Sequence, residues 1–199
     1  MVKKKRIKVI LIGAGGHAES CIDLLNEQSK FVLKEILGKK KELRKKLLNK
    51  YIVKYDDSKL KYLVKKYPYA LIGVGQITTK NPRVKIFELL KKMKYSLPKI
   101  CSKHAIISKH SIIGEGTVVM HGAIIGANVK IGKNCIINSN SLIEHGSIIG
   151  DHSHISTSVT INSGVTIGEN CFIGSNSVVK QLVSIKKNSF IKMGSVIKN

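Results

Sequence analysis

The side chains able to do chemistry in the C-terminal half lie in three polar clusters. These are Asn138-Ser139-Asn140-Ser141, Glu144-His145-Gly146 and Asp151-His152-Ser153-His154. His145 follows an apolar position of a regular repeat by two residues, and His154 precedes another by one, so neither occupies a core slot. An imidazole titrates near neutral pH and can act as general acid or base. His104, His110, His121 and His152 read as surface or junction residues. The N-terminal half carries a different device. In Gly13-Ala14-Gly15-Gly16-His17-Ala18, Gly13, Gly15 and Ala18 have the G-x-G-x-x-A spacing, directly after an apolar run from Ile7. Such a turn lets main-chain N–H groups approach a phosphate, and the N-terminus of the following helix favours negative charge there.

The elements that must position these residues are legible from two periodicities. From Ile107 to Ile197 every sixth residue is Ile or Val, and two positions before each stands a small or slim residue such as Ala123, Cys135 or Ser153. A six-residue period fits neither a helix nor a hairpin sheet and is the signature of a parallel β-helix, here of about five coils. Before it, Ile7–Gly13 reads as a buried strand and is followed by the glycine turn and a helix to about Glu27. Phe31–Leu37 reads as a second strand, Lys39–Lys50 as a basic helix and Tyr51–Tyr55 as a short extended piece. Asp56-Asp57-Ser58 caps a helix to about Lys66, and Tyr69–Val74 is a further strand that runs into Gly75-Gln76. Asn81 and Pro82 then supply an N-cap and first-turn proline for a helix over 82–94. Three or four parallel strands make half a dinucleotide fold. That argues for a mononucleotide or nucleotide-sugar site at the strands' C-terminal ends, next to the turn with Gly13 and Gly15 and the loop with Gly75. The expected domains are a small Rossmann-like unit over 1–97 and the β-helix over 98–199.

The net charge of +23 is uneven: 26 Lys and Arg against 8 acids in residues 1–100, and 9 against 4 in residues 101–199. The lysines are scattered among apolar periodic positions with few aromatics, which fits a solvated surface better than a nucleic-acid interface. Cys135 and Cys171 share the slim inward position two coils apart, beyond bridging distance, so the four cysteines read as reduced and the protein as cytoplasmic. The apolar run near the N-terminus ends in a glycine turn rather than a cleavage site, and no later stretch is long enough to span a membrane.

With these residues in hand, the chain resembles bacterial sugar O- and N-acetyltransferases of the sialic-acid and bacillosamine pathway type. The resemblance rests on Asn138-Ser139-Asn140-Ser141-Leu142-Ile143-Glu144-His145, on His154 nine residues on, and on Ile12-Gly13-Ala14-Gly15-Gly16-His17. It implies a left-handed β-helix that takes acetyl-CoA as co-substrate, a Rossmann-like domain for a nucleotide-sugar or nonulosonic-acid acceptor, and a homotrimer. It implies His145 as the general base, His154 at the acetyl-CoA thioester, and Asn138 beside the acceptor sugar. It further implies Gly15, Gly16 and His17 at the nucleotide-sugar, and Ser175, Met193 and Gly194 along the pantetheine groove. No metal site is expected. Two positions depart from the pattern: many relatives have an acid directly after the catalytic His, where Gly146 stands, and end the second strand in Asp, where Leu37-Gly38-Lys39-Lys40 stands. Two other readings compete. One is a trimeric metalloenzyme of the γ-carbonic-anhydrase kind, in which His121, His145 and His154 would grip zinc between subunits; the other is a non-catalytic basic β-helix that binds an anionic polymer or acts as a scaffold.

Overall fold

The computed structural model describes residues 6–77 and 82–199. The chain divides into two units, one of Met1–Gly75 with Lys85–Pro98, the other of Gln76–Val84 with Lys99–Asn199. The segment Gln76–Val84 therefore goes with the second unit, although the sequence places it among the strands and helices of the first.

In the first unit, strands β1 (Ile7–Ile12), β2 (Phe31–Leu37), β4 (Tyr51–Tyr55) and β5 (Tyr69–Ile72) run parallel in the order β4-β2-β1-β5. A parallel sheet is covered on both faces, which is why Val9-Ile10-Leu11-Ile12 is apolar without alternation and buried throughout. Helix α1 (Gly16–Asn26) turns Ala18, Cys21, Ile22 and Leu25 inward. Helix α2 (Leu60–Lys66) follows a 3₁₀ turn whose N-cap, Asp56, accepts the Ser58 N–H at 2.9 Å. Helix α3 spans Pro82–Lys92; its expected N-cap, Asn81, lies outside the described residues. β5 ends at Ile72, two residues short of the expected end, where Gly73 donates to the Ile12 carbonyl at 2.7 Å and the chain begins to turn.

The expected basic helix over Lys39–Lys50 does not form. A 3₁₀ turn over Lys40–Glu42 leads into β3 (Lys46–Leu47), which pairs antiparallel with β4. Arg44, Leu48 and Asn49 have positive φ, which no α-helix accommodates. Lysine-rich composition favours a helix only weakly. Burying Leu47 completely and pairing the edge of β4 outweigh it.

The second unit is a triangular prism of two-residue strands, from Ile100–Cys101 to Val196–Ile197, in three parallel sheets. Face one holds the strands starting at Ile100, Val118, Ile136, His154, Phe172 and Phe190. Face two holds those starting at Ile106, Ile124, Leu142, Thr160, Val178 and Val196; face three those starting at Ile112, Lys130, Ile148, Thr166 and Ser184. Each strand pairs in register with those 18 residues away, as Ile136 does with Val118 and His154. The second residue of each strand points to the axis, and Ile137, Ile143, Ile155 and Ile161 are fully buried. Among the slim residues at the corners, Ser147 and Ser153 are fully buried too, and their hydroxyls donate to carbonyls one turn on, Asn162 at 3.0 Å and Gly168 at 2.9 Å. These bonds offset the cost of removing a hydroxyl from water. Cys101 fills the axial slot one hexad before Ile107, so the prism starts one strand before the Ile and Val series.

From Gly116 to Gly194 each corner is a tight turn whose third residue has a left-handed backbone, mostly Asn or Gly: Asn128, Asn140, Asn170 and Gly146 among them. This conformation is costly for other residues, which explains the Asn and Gly at these positions. Among the described residues no helix is long and apolar enough to cross a membrane.

Candidate active site

In the first unit the glycine turn is open where a ligand would enter and closed beneath. A Cβ on Gly13 (φ +120°) would lie 2.9 Å from the Gly73 carbonyl carbon and the Val74 side chain, so only glycine lets β1 end against the 73–74 loop. A Cβ on Gly15 or Gly16 would meet nothing within 4 Å. Gly15 is the N-cap of α1 and supplies no side-chain cap, and a Cβ on Gly75 would lie 3.5 Å from the His17 Cβ. Gly13, Gly15, Gly16, His17 and Gly75 thus gather at the carboxyl ends of β1 and β5, the ligand side of an open parallel sheet. Lys45 adds a cation there, donating to the Ala14 carbonyl at 2.7 Å. The sequence hides it, because its place depends on the hairpin read as a helix.

In the prism the polar clusters divide among different edges. His145 is exposed in the turn between faces two and three. Its backbone carbonyl accepts from Gly164 at 3.0 Å, and among the described residues its ring has no hydrogen-bond partner. An open groove of about 430 Å³ runs beside it, lined by His110, Ile112, Asn128, Lys130, Gly146 and Ile148. Asn138, Ser175, Met193 and Gly194 lie in the turns between faces one and two. Asn138 shares a column, at 18-residue steps, with Ser156, Gly174 and Lys192; Ser175 and Met193 stand in the next column, with the Ser175 hydroxyl 2.9 Å from that of Ser156. The first edge therefore collects the residues expected along the pantetheine and beside the acceptor. Within one chain the structure does not bring His145 to them, since all of face two intervenes.

His154 contradicts the surface position expected of it. It heads a strand of face one and is 7 % exposed. Its Nδ1 lies 2.6 Å from the Gln76 carbonyl, and its ring meets Phe172 edge-on at a centroid distance of 5.2 Å. Gln76, 78 residues earlier in the chain, lies against it, a long-range packing the hexad pattern cannot express. Arg83 from the Gln76–Val84 segment is completely buried and donates to the Asn134 and Gly116 carbonyls, each at 3.2 Å. Burial lowers the His154 pKa to about 4, the Arg83 charge adds to the effect, and the Gln76 bond opposes it. His154 is neutral at physiological pH.

The three histidines of the metalloenzyme alternative are likewise dispersed. His121 lies in a face-one to face-two turn with its Nδ1 2.8 Å from the Ser102 hydroxyl, His145 on the next edge, and His154 under Gln76. Among the described residues no three His, Cys, Asp or Glu side chains of one chain gather as metal ligands.

Comparison with known proteins covers both units. Residues 8–90 match the PglD N-terminal domain, residues 110–181 match bacterial transferase hexapeptide repeats in three overlapping copies, and residues 164–199 match the hexapeptide repeat of succinyl-transferase. No curated protein matches the chain. Among solved structures, PerB from Caulobacter crescentus, in complex with CoA and GDP-perosamine, is 26 % identical with a TM-score of 0.88, over 96 % of this chain and 89 % of that one. The acetyltransferase domain of PglB from Neisseria gonorrhoeae, in complex with acetyl coenzyme A, is 24 % identical with a TM-score of 0.85, over 97 % and 93 %. WeeI from Acinetobacter baumannii is 21 % identical with a TM-score of 0.83, over 98 % and 92 %. The latter two share the fold.

Proposed function

We infer that this chain is a sugar acetyltransferase of the hexapeptide, left-handed β-helix type with a PglD-like N-terminal domain, and that it moves an acetyl group from acetyl-CoA to a sugar. The observation that carries the reading is the likeness to PerB over 96 % of the chain, which includes both the glycine-turn unit and the β-helix. A nucleotide-linked amino sugar is the acceptor the residues favour. Gly15 and Gly16 leave space for a diphosphate at the start of α1, with Lys45 beside them.

The acceptor amine or hydroxyl attacks the thioester carbon and loses its proton to His145. The new N–C or O–C bond forms, the carbonyl π pair moves onto oxygen, and the tetrahedral intermediate collapses. The C–S bond breaks, and the CoA thiolate leaves with the proton that His145 received. An exposed imidazole suits that exchange. The acyl donor lies along the first edge, past Gly194, Met193 and Ser175 toward His154 and Asn138.

Because His145 and the first edge are separated in one chain, the working form is a homotrimer in which one protomer's His145 faces the neighbour's first edge. Exposed apolar side chains flank the His145 edge on both sides: Ile106, Ile124 and Val178 on face two, Ile112 and Ile148 on face three. Such rows are unusual on a monomer and fit burial against another copy. A cytoplasmic setting goes with the co-substrate and with four cysteines that stand as thiols rather than disulfides.

The test is CoA release from acetyl-CoA against a panel of nucleotide-linked amino sugars, free amino sugars and nonulosonic acids. Saturable release with a nucleotide-linked amino sugar is expected. Release from none of the panel would overturn the assignment.

A further inference from the structure

A chain of hydrogen bonds leads from the Gln76–Val84 segment to the first edge, and its donors and acceptors can be assigned. The Gln76 carbonyl only accepts, so His154 Nδ1, at 2.6 Å, carries the hydrogen. Turning the ring over would set a C–H at that distance, too close for carbon. A neutral imidazole has one N–H, so Nε2 holds a lone pair. The other end agrees independently. Asn138 Oδ1 accepts the Ser139 N–H at 2.9 Å, which fixes the amide with Nδ2 toward His154 Nε2 at 3.4 Å. A donor there requires an acceptor on the ring.

His154 therefore cannot donate a hydrogen bond to a thioester or to the oxyanion made from it. Asn138 can. Its Nδ2 has two hydrogens; one faces His154, and among the described residues the other has no partner. Asn138 stands in the column of the first edge that Ser156 and Gly174 continue.

We propose that Asn138 is the group that donates to the acyl carbonyl oxygen of the thioester, and that His154, held by the Gln76 carbonyl, is the positioning residue that aims it. This rests on the acetyl-transfer reading. As the acceptor's lone pair bonds to the carbonyl carbon, the displaced π pair becomes the oxyanion that the Asn138 Nδ2–H meets. The interaction is stronger there than in the ground state and so acts on turnover. The beside-the-acceptor role that the family resemblance implies for Asn138 predicts a different kinetic signature.

The test has two arms. In ¹⁵N-histidine-labelled protein, with His154→Asn identifying the resonance, His154 is expected as the Nδ1–H tautomer from pH 6 to pH 8, a range that includes its ordinary titration. An Nε2–H tautomer, or titration near the ordinary histidine value, overturns the proposal. In the kinetic arm, Asn138→Ala and the isosteric Asn138→Asp are expected to lower kcat by roughly 10² to 10³, with the acetyl-CoA KM within about threefold. Sugar-free hydrolysis of acetyl-CoA should fall in parallel. If instead only the sugar KM rises while hydrolysis is unchanged, Asn138 binds acceptor alone and the proposal fails. If the wild type consumes no acetyl-CoA with or without sugar, the acetyl-transfer reading fails and the proposal with it. The tautomer measurement would then still decide the hydrogen-bond chain on its own.

Discussion

At the scale of single residues, His145 and His154 share a type and differ in everything that sets what an imidazole can do. His145 is exposed and, among the described residues, its ring has no partner, so His145→Ala should reduce turnover by roughly 10² to 10⁴ and leave melting unchanged, as steady-state rates and thermal scans would show. Gly146 follows it at φ +70°, with open space where a side chain would project. Aspartate tolerates that backbone better than glutamate, so Gly146→Asp is the variant that installs the acid common beside this histidine in relatives. If orientation is lacking, turnover rises and the acid limb of the pH–rate profile moves up. A fall in turnover would mean that a neighbouring protomer's group already fills the place. His154 has the opposite fate. Its folded pKa, about 4, lies below the ordinary 6.5, so the unfolded chain binds the extra proton as pH falls. Stability from this group is intact above about pH 6.5 and declines toward pH 4, by about 3 kcal/mol in all. Denaturant melts of wild type and His154→Asn across that window should converge on acidification. Parallel curves would contradict the burial argument.

At the scale of elements, the prism was readable because its period states both geometry and burial. An Ile or Val every sixth residue with a slim residue two before it requires a three-sided turn, and Ile137, Ile143 and Ile155 lie on the axis as that requires. The terminal coils still carry the repeat but lie more open, as Ile191 and Ile197 show. Two other features were not readable, for one physical reason. Residues 39–50 form a turn and hairpin because β4 has an edge to pair, and His154 is buried because Gln76 reaches it from far along the chain. Neither partner is local, so no propensity or period reports it. Arg83 makes the dependence measurable. Arg83→Ala leaves the Asn134 and Gly116 carbonyls without their buried donor, at a cost of about 1–3 kcal/mol each. It should lower the melting temperature and raise the His154 pKa toward its ordinary value, seen by ¹⁵N titration. An unmoved pKa would show that Arg83 does not set the state of that ring.

At the scale of the whole molecule, the proposed base, His145, stands on one edge of the prism and the residues proposed to line the acyl donor stand on another. Exposed Ile124 and Ile148, on either side of His145, are the side chains a neighbouring copy would cover. Ile124→Asp with Ile148→Asp should therefore yield folded monomers by light scattering, with acetyl transfer lost although His145 is untouched. The most direct measurement uses complementation. His145→Ala removes the base, and Ser175→Trp blocks the first edge; each alone should be inactive. Co-expressed with different tags and purified through both, mixed trimers of either stoichiometry contain one intact junction of three, so about one third of wild-type turnover should return. Doubly tagged trimers no more active than the single variants would contradict a site built from two chains.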